Sequence, residues 1–445
     1  MSESTALSLA VVGHTNTGKT SLMRTLLRDA AFGDVQNAPS TTRHVERSAV
    51  NDGADTLVLL HDTPGLEDAG GVLDWLETHT SVRSDGIERL QQFLTSPAAA
   101  AEFNQEAKVL RQLLHSDAAL YVIDAREPVL EKYKDELTVL SWCAKPVMPV
   151  FNFTAGQDLS AWIAMLARRN LHVCSSFDTV AFDFDGEIRL WQNLATMLSD
   201  GSILDRLTAA RSREWQRLGS EAKDAVALFL IEAAACRREA GENEDTAPLT
   251  EEMQQAVRAL EQRLHQKLLH LYRFYTDGVE SAQWVLHTQN QDPFDSGTLK
   301  EYGIRTGTGA AAGALIGLGF DLATLGGSLG MGTAIGSLIG GVLPNVNDLS
   351  DKISGRQILT AAPETLTLLA ARALDLLAAL QTRGHAAQSP VRLQSGCTPW
   401  PPSKLPPELQ KARGRPRWSP LNPQGADTAD GESKTAAAQA LAARL

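Results

Sequence analysis

Cysteine is scarce in this 445-residue chain, and the four present (Cys143, Cys174, Cys236 and Cys397) stand far apart. None has the close paired spacing of a zinc site or a redox motif, which leaves a reducing cytoplasm as the expected setting. Basic residues are in deficit: 41 Lys and Arg face 53 Asp and Glu, for a net charge of -12 and a pI near 5.4. A nucleic-acid backbone needs a basic face, so general nucleic-acid binding is not expected. Met1 to Ser8 has no cationic start and no cleavable apolar core, and no secretion signal is expected. No internal repeat stands out. What the chain does have is 43% hydrophobic against 21% charged residues, the composition of a globular protein with room for two or three domains.

The most informative stretch is Gly13-His14-Thr15-Asn16-Thr17-Gly18-Lys19-Thr20. An apolar run, Leu7 to Val12, precedes it and reads as a buried strand; Ser21 to Leu27 follows and reads as a helix start. Strand, glycine-rich loop, Lys-Thr and helix make a phosphate cradle. Gly13 and Gly18 let several N–H groups turn toward one anion, and the helix N-terminus adds positive potential. Lys19 would reach the outer phosphates and the Thr20 hydroxyl would hold Mg²⁺. An ordinary strand–turn–helix could match by chance, but here the flanking segments fit as well as the letters.

Thr56 to His61 reads as a second buried strand, ending in Asp62-Thr63-Pro64-Gly65. A carboxylate there can hold a Mg²⁺-bound water, and Gly65 can offer its N–H to a γ-phosphate. By itself this tetrapeptide would be a plain β-turn. Between cradle and Asp62 lies Pro39-Ser40-Thr41-Thr42-Arg43, where a loop threonine could complete the Mg²⁺ shell. Thr41 and Thr42 both fit, with Thr42 preferred.

With Val122-Ile123-Asp124-Ala125-Arg126-Glu127-Pro128, these stretches make the first 200 residues resemble the translation-factor-related small GTPases of the Era/TrmE-like branch. The resemblance implies a P-loop α/β G domain, a mostly parallel sheet with flanking helices, that binds GTP and GDP and hydrolyses GTP. It places the nucleotide on Gly13, Asn16, Thr17, Gly18, Lys19, Thr20, Ser21, Asp62, Gly65 and Asn152. It places Mg²⁺ on Thr20 and Thr42, with Asp62 assisting, and reaction chemistry around Lys19, Thr42 and Gly65. Asn16 matches a loop asparagine that helps bind K⁺ in some members, which implies a monovalent-cation requirement.

The chain departs from the pattern twice. Leu66 follows Gly65, where many GTPases place a glutamine that orients the attacking water. Slow hydrolysis, stimulated by a cation or a partner, is therefore expected. The base-reading motif should run Asn-Lys-x-Asp, but the chain has Asn152-Phe153-Thr154-Ala155, and Asp158 lies too far along to substitute directly. GTP over ATP rests on the overall resemblance. The last base-side loop is placed by order alone near Cys174 to Asp178.

Residues 306 to 343 hold one charge, Asp321, in 38 positions, with Gly309, Gly313 and Gly317, then Gly332, Gly336 and Gly340, at helical spacing. Glycine disfavours a helix in water by about 1 kcal/mol each, whereas small faces suit close helix packing in a bilayer. A glycine-zipper helical hairpin turning near Asp321 to Gly327 is expected. Each arm is shorter than the roughly 20 residues of a comfortable crossing, so insertion or re-entry fits better than two spans. The alternative is a buried soluble hairpin that holds the domain or a homo-oligomer together.

The rest divides coarsely. An all-α region, 201–383, carries the hairpin and a helix from Trp215 to Arg238. A further apolar stripe runs through Met253, Val257, Leu260, Leu264, Leu268, Leu271 and Tyr275 behind a Thr250 cap. A Leu- and Ala-rich helix, Thr365 to Leu380, follows. From Gly384 to Leu445 nine of the 19 prolines and a basic cluster, Lys411, Arg413, Arg415 and Arg417, read as a disordered tail. Trp75, Ile87, Leu90, Phe93, Leu110, Leu113 and Leu114 point to helices in the long insert Leu66 to Asp117. The expected protein is a cytoplasmic nucleotide switch, peripheral at the inner face of a membrane or bound to a protein partner through its C-terminal half. A nucleotide-gated scaffold without useful hydrolysis and a GTPase assisting RNA or ribosome assembly stay open as alternatives. The arrangement also loosely resembles bacterial proteins in which an Era-like GTPase is fused to a domain of unknown function.

Overall fold

The computed structural model describes residues 6–29, 46–241, 244–274, 292–304, 320–325, 356–385, 398–402, 404–423 and 430–445. Pro39 to Arg43, most of 306–343 and Tyr275 lie outside the described residues.

The N-terminal sheet has six strands: β1 (Leu7–Val12), β2 (Glu46–Asp52), β3 (Asp55–Asp62), β4 (Ala118–Asp124), β5 (Val147–Asn152) and β6 (Ser175–Ser176). Their order is β2-β3-β1-β4-β5-β6, with β2 antiparallel to β3 and every other pair parallel. Helices cover both faces, so β1, β4 and β5 are almost wholly buried and read as continuous apolar runs. Leu9 and Val11 face a core with Leu22, Met23 and Leu26 of α1 (Lys19–Leu27) and Trp191 of α8 (Phe184–Ala195). Ala10 and Val12 face the other core, with Leu90, Phe93, Leu110 and Leu113. Those four lie in the insert, which forms α2 (Ala69–His79), α3 (Gly86–Leu94), α4 (Pro97–Ala100) and α5 (Asn104–His115); Ile87 is exposed. The parallel register sets Val11 beside Asp62 and Asp124 beside Asn152. The carboxyl ends of the strands therefore bring distant motifs together, the usual ligand edge of such sheets.

Behind α1 the chain builds a buried ion cluster. Glu187 is fully buried, with Arg28 Nη2 3.4 Å from Oε2 and Arg211 Nε 3.3 Å from Oε1. Arg211 also donates to the Leu26 carbonyl at 2.7 Å, and Arg28 lies over the Trp215 ring at 5.1 Å. Arg211 and Trp215 come from α9 (Ser202–Ala234).

The chain forms two compact units: 1–217 with 272–282 and 380–389, and 218–271 with 283–379 and 390–445. The expected boundary at residue 200 moves into α9, because Arg211 and Trp215 pack with the sheet's own helices. The second unit is helix-rich, yet it is not all-α. Strands β7 (Arg237–Ala240), β8 (Phe320–Leu325) and β9 (Arg356–Ala361) form an antiparallel sheet in the order β7-β9-β8. The helix expected to reach Arg238 ends at Ala234, and the next residues turn into β7. The expected hairpin turn near Asp321 is strand instead. Phe320 to Leu325 lies between the breakers Gly319 and Gly326-Gly327, and pairing with β9 rather than local propensity makes it a strand.

In α10 (Ala247–Leu271) Met253, Val257, Leu260, Leu264 and Leu268 are buried as one stripe. Thr250 is not its cap: the helix starts earlier, Asp245 accepts from the Ala247 N–H at 3.0 Å, and Thr250 donates to the Thr246 carbonyl. The Pro363–Thr382 helix is apolar and long enough to cross a membrane, but 67% of its most apolar window is buried within the protein. Its Arg372 donates to Glu261 of α10 at 2.8 Å. The C-terminal tail is folded where it is described. Helices Pro407–Arg413 and Gly431–Ala442 bury Leu409, Trp418 and Leu441 in and between them, and Asn422 donates to the Ala235 carbonyl at 2.9 Å. Proline sets starts and turns here rather than disorder, since enough large apolar side chains lie between the prolines to offset chain entropy.

Candidate functional site

The cradle is built where β1 runs into α1. Gly13 has φ 143° and its missing Cβ would lie 2.5 Å from the Val122 carbonyl, so the loop passes close over β4. Gly18 has φ 89° at the helix cap, and Asn16 at the exposed tip adopts φ 66°, a left-handed turn that asparagine tolerates. Thr17 is buried and donates to the His14 carbonyl at 3.0 Å, fixing the loop from inside. Ser21 sits in the first turn of α1, where its carbonyl accepts from Thr25 Oγ1.

Lys19 is buried at the foot of this loop. Its Nζ donates to the carbonyls of Gly13 (3.1 Å) and His14 (2.7 Å). Burial pushes its pKa down to about 8, against the opposing pull of Asp62, Glu136 and Glu67. A cation this desolvated is primed for an anion. Thr20 Oγ1 donates to Asp62 Oδ2 at 2.7 Å, joining the cradle to the end of β3. This hydroxyl–carboxylate pair is the oxygen donor set that suits Mg²⁺. Among the described residues no group of three His, Cys, Asp or Glu could cage a metal, so the ion would need phosphate oxygens as well. Thr42 and Thr41 lie outside the described residues.

The Asp62–Gly65 turn is clamped to the cradle. Thr63 Oγ1 donates to the Val11 carbonyl at 2.7 Å, and the Leu66 N–H donates to the Gly13 carbonyl at 3.1 Å. A Cβ on Gly65 would lie 2.1 Å from Thr15 Oγ1 and 2.8 Å from the Thr15 nitrogen. Gly65 thus stands directly against the loop. Leu66 is buried, and Thr15 donates to Glu67 at 3.0 Å.

Asn152 is fully buried at the end of β5. Its amide donates to the Thr17 carbonyl at 3.1 Å, and its Oδ1 accepts from the N–H groups of Phe153 and Thr179 and from Thr179 Oγ1. Through these bonds it braces the cradle against the base-side loop. That loop lies where chain order placed it, since β6 pairs with β5 at Val150↔Ser175.

Three long-range contacts were not foreseen. Glu136 accepts from Tyr121 OH and meets His14 Nδ1, each at 2.7 Å. Glu106 accepts from the N–H groups of Glu67 and Asp68 at 3.1 and 3.0 Å, fixing the entry to α2. Arg126 lies 4.0 Å over the Phe153 ring, held by Asp124 at 2.9 and 2.7 Å. For Glu136 and Glu106 a glutamate within a helix is the one sequence signal, and it does not name its partner.

A family model described as a 50S ribosome-binding GTPase matches residues 8–153, and one described as a domain of unknown function, DUF3482, matches residues 164–443. Among solved structures the chain is similar to an Era variant from Aquifex aeolicus bound to GDP·AlF4⁻, at 16% identity and TM-score 0.31, covering 43% of this chain and 57% of that one. It is also similar to the G domain of the T. maritima FeoB iron transporter, at 18% identity and TM-score 0.28, covering 43% of this chain and 98% of that one. A third likeness is an S. thermophilus NFeoB variant bound to GDP·AlF4⁻, at 15% identity and TM-score 0.24, covering 60% and 89%. The chain thus spans a little over half the length of the Era protein it resembles. No curated protein matches it. The chain belongs to the family defined by the DUF3482 domain, preceded by a GTP-binding P-loop GTPase domain.

Proposed function

We propose that this protein is a slow GTPase switch that uses Mg²⁺ and changes, with its nucleotide, how the C-terminal half engages a partner. The observation that carries this reading is the convergence of Lys19, Thr20, Asp62 and Gly65 at the carboxyl ends of β1 and β3. Thr20 and Asp62 would hold Mg²⁺, which when bound neutralises phosphate charge. Lys19 gives up its two carbonyl partners for phosphate oxygens, and its ammonium is held charged by them. The loop N–H groups from Gly13 to Thr20 stabilise charge on the phosphates as water attacks the γ-phosphorus and the bond to the bridging oxygen breaks. Leu66, buried and apolar, cannot orient that water. Hydrolysis therefore leans on another group, with K⁺ near Asn16 or a partner as the stimulus.

The switch element is Gly65 to Asp68, which rests on the cradle through Thr15 and Gly13 and is held on its other side by Glu106 of α5. A γ-phosphate taken up by the Gly65 N–H would grip this element, and its loss on hydrolysis releases it. We assign contact with a membrane, met peripherally by a cytoplasmic protein, or with a protein partner to the segment 306–343.

Phosphate release measured with Mg²⁺ and either K⁺ or Na⁺ tests the reading, with Lys19→Ala as control. Turnover above that control, raised by K⁺, is expected. Turnover equal to the control would replace the switch with a nucleotide-gated scaffold. Flotation with anionic liposomes in GTP and GDP tests the membrane arm, and no co-flotation in either state would remove it.

A further inference from the structure

The carboxylates around the base-side loops each already accept hydrogen bonds from the protein. Asp124 accepts from Arg126 through both oxygens, and from the Arg126 N–H as well. Asp178 accepts from Thr154 N–H on Oδ2, and from Val180 and Ala181 N–H on Oδ1. Asp158 is turned toward Ser160 at the start of α7 (Ser160–Ala167), taking both its N–H and its hydroxyl. Asn152 Oδ1 carries three donors of its own. At Ala155, the exposed position two past Phe153, there is only a methyl group.

What the pocket edge offers instead is flat surface. Phe153 adopts φ 55° and sets its ring edge beside Gly18, within 3.4 Å of where a Cβ there would be. The Arg126 guanidinium carbon lies 4.0 Å from the ring centroid, and Asp124 holds the group in place. Aromatic and guanidinium faces hold any purine by stacking, and stacking does not distinguish one base edge from another. Rejecting adenine needs a buried acceptor that pairs with groups found only on guanine.

We propose that the site takes its purine on an outer face of the stacked Phe153–Arg126 pair, and binds ATP as well as GTP with similar affinity. This rests on the triphosphate reading above and extends it to a second substrate class. The test is titration of the full-length protein with non-hydrolysable GTP and ATP analogues in Mg²⁺. The expected affinities lie within about tenfold of each other. Phe153→Ala should weaken both by a similar factor, at least about fivefold, as loss of one stacking platform does. Ala155→Asp, on an exposed loop, should raise the guanine preference at least about tenfold by supplying the acceptor that is missing. A guanine preference above tenfold in the natural chain overturns this inference while leaving the phosphate cradle intact. So does a Phe153→Ala protein that keeps full affinity, or an Ala155→Asp protein without added selectivity. Failure to bind either analogue overturns the triphosphate reading and this one together.

Discussion

The side-chain amide of Asn152 donates to the Thr17 carbonyl at 3.1 Å, tying the end of β5 to the glycine-rich loop across 135 positions of sequence. The same side chain accepts from Thr179, so one buried amide joins the loop under the phosphates to the loop beside the base.

Asn152→Ala should therefore lower stability and nucleotide affinity together. Removal strands several buried donors and the Thr17 carbonyl, a loss of about 2–4 kcal/mol. Urea denaturation with and without GTP checks both effects. Unchanged unfolding would show that water replaces the amide freely.

Lys19 sets a pH dependence. Burial lowers its pKa in the folded, nucleotide-free protein from 10.5 to about 8. The unfolded chain then binds more protons between those values, so the lysine's destabilising contribution fades as pH rises through that window. Against Lys19→Met, the wild-type protein should gain roughly 3 kcal/mol between pH 8 and 10.5. Nucleotide binding has the opposite slope, because the phosphates need the charged form. Affinity should fall by up to about tenfold per pH unit above 8, readable by calorimetry in two buffers.

Gly65→Ala should push the Asp62–Glu67 turn off the cradle. The added methyl meets Thr15 backbone atoms at 2.8 Å, which a side-chain rotation cannot relieve. Overpacking of this kind costs about 1–3 kcal/mol. Protease sensitivity near Leu66 should rise and lose its dependence on nucleotide. Digestion patterns identical to wild type would show that the turn does not bear on the loop.

Trp418→Ala should destabilise the C-terminal unit by about 3–5 kcal/mol, as loss of a fully buried tryptophan does. Thermal unfolding measures it directly. A silent substitution would restore the reading of this region as an unstructured tail.

The G domain was legible because its signals are local and dense. Leu7 to Val12, the Gly13–Thr20 loop and Asp62 to Gly65 each declare a strand end or a turn by residue type, and β1 and β3 place them as expected. The contacts of Glu106 and Glu136 were not legible, since nothing in a helix marks which distant N–H or hydroxyl its carboxylate will meet. Composition misled in the C-terminal half. Proline density hid Leu409 and Trp418, and glycine density hid the strand Phe320–Leu325, whose pairing with Arg356–Ala361 is written in neither segment alone.

The Arg28–Glu187–Arg211 cluster has a mechanical consequence. It nails the rear of α1 to α8 and α9, so sliding that helix along its axis would strip a buried carboxylate of its countercharges. Lys19 and Thr20 therefore ride on a fixed post. On the switch reading proposed above, any stroke the nucleotide drives would be delivered from the opposite bank, by the turn at Gly65.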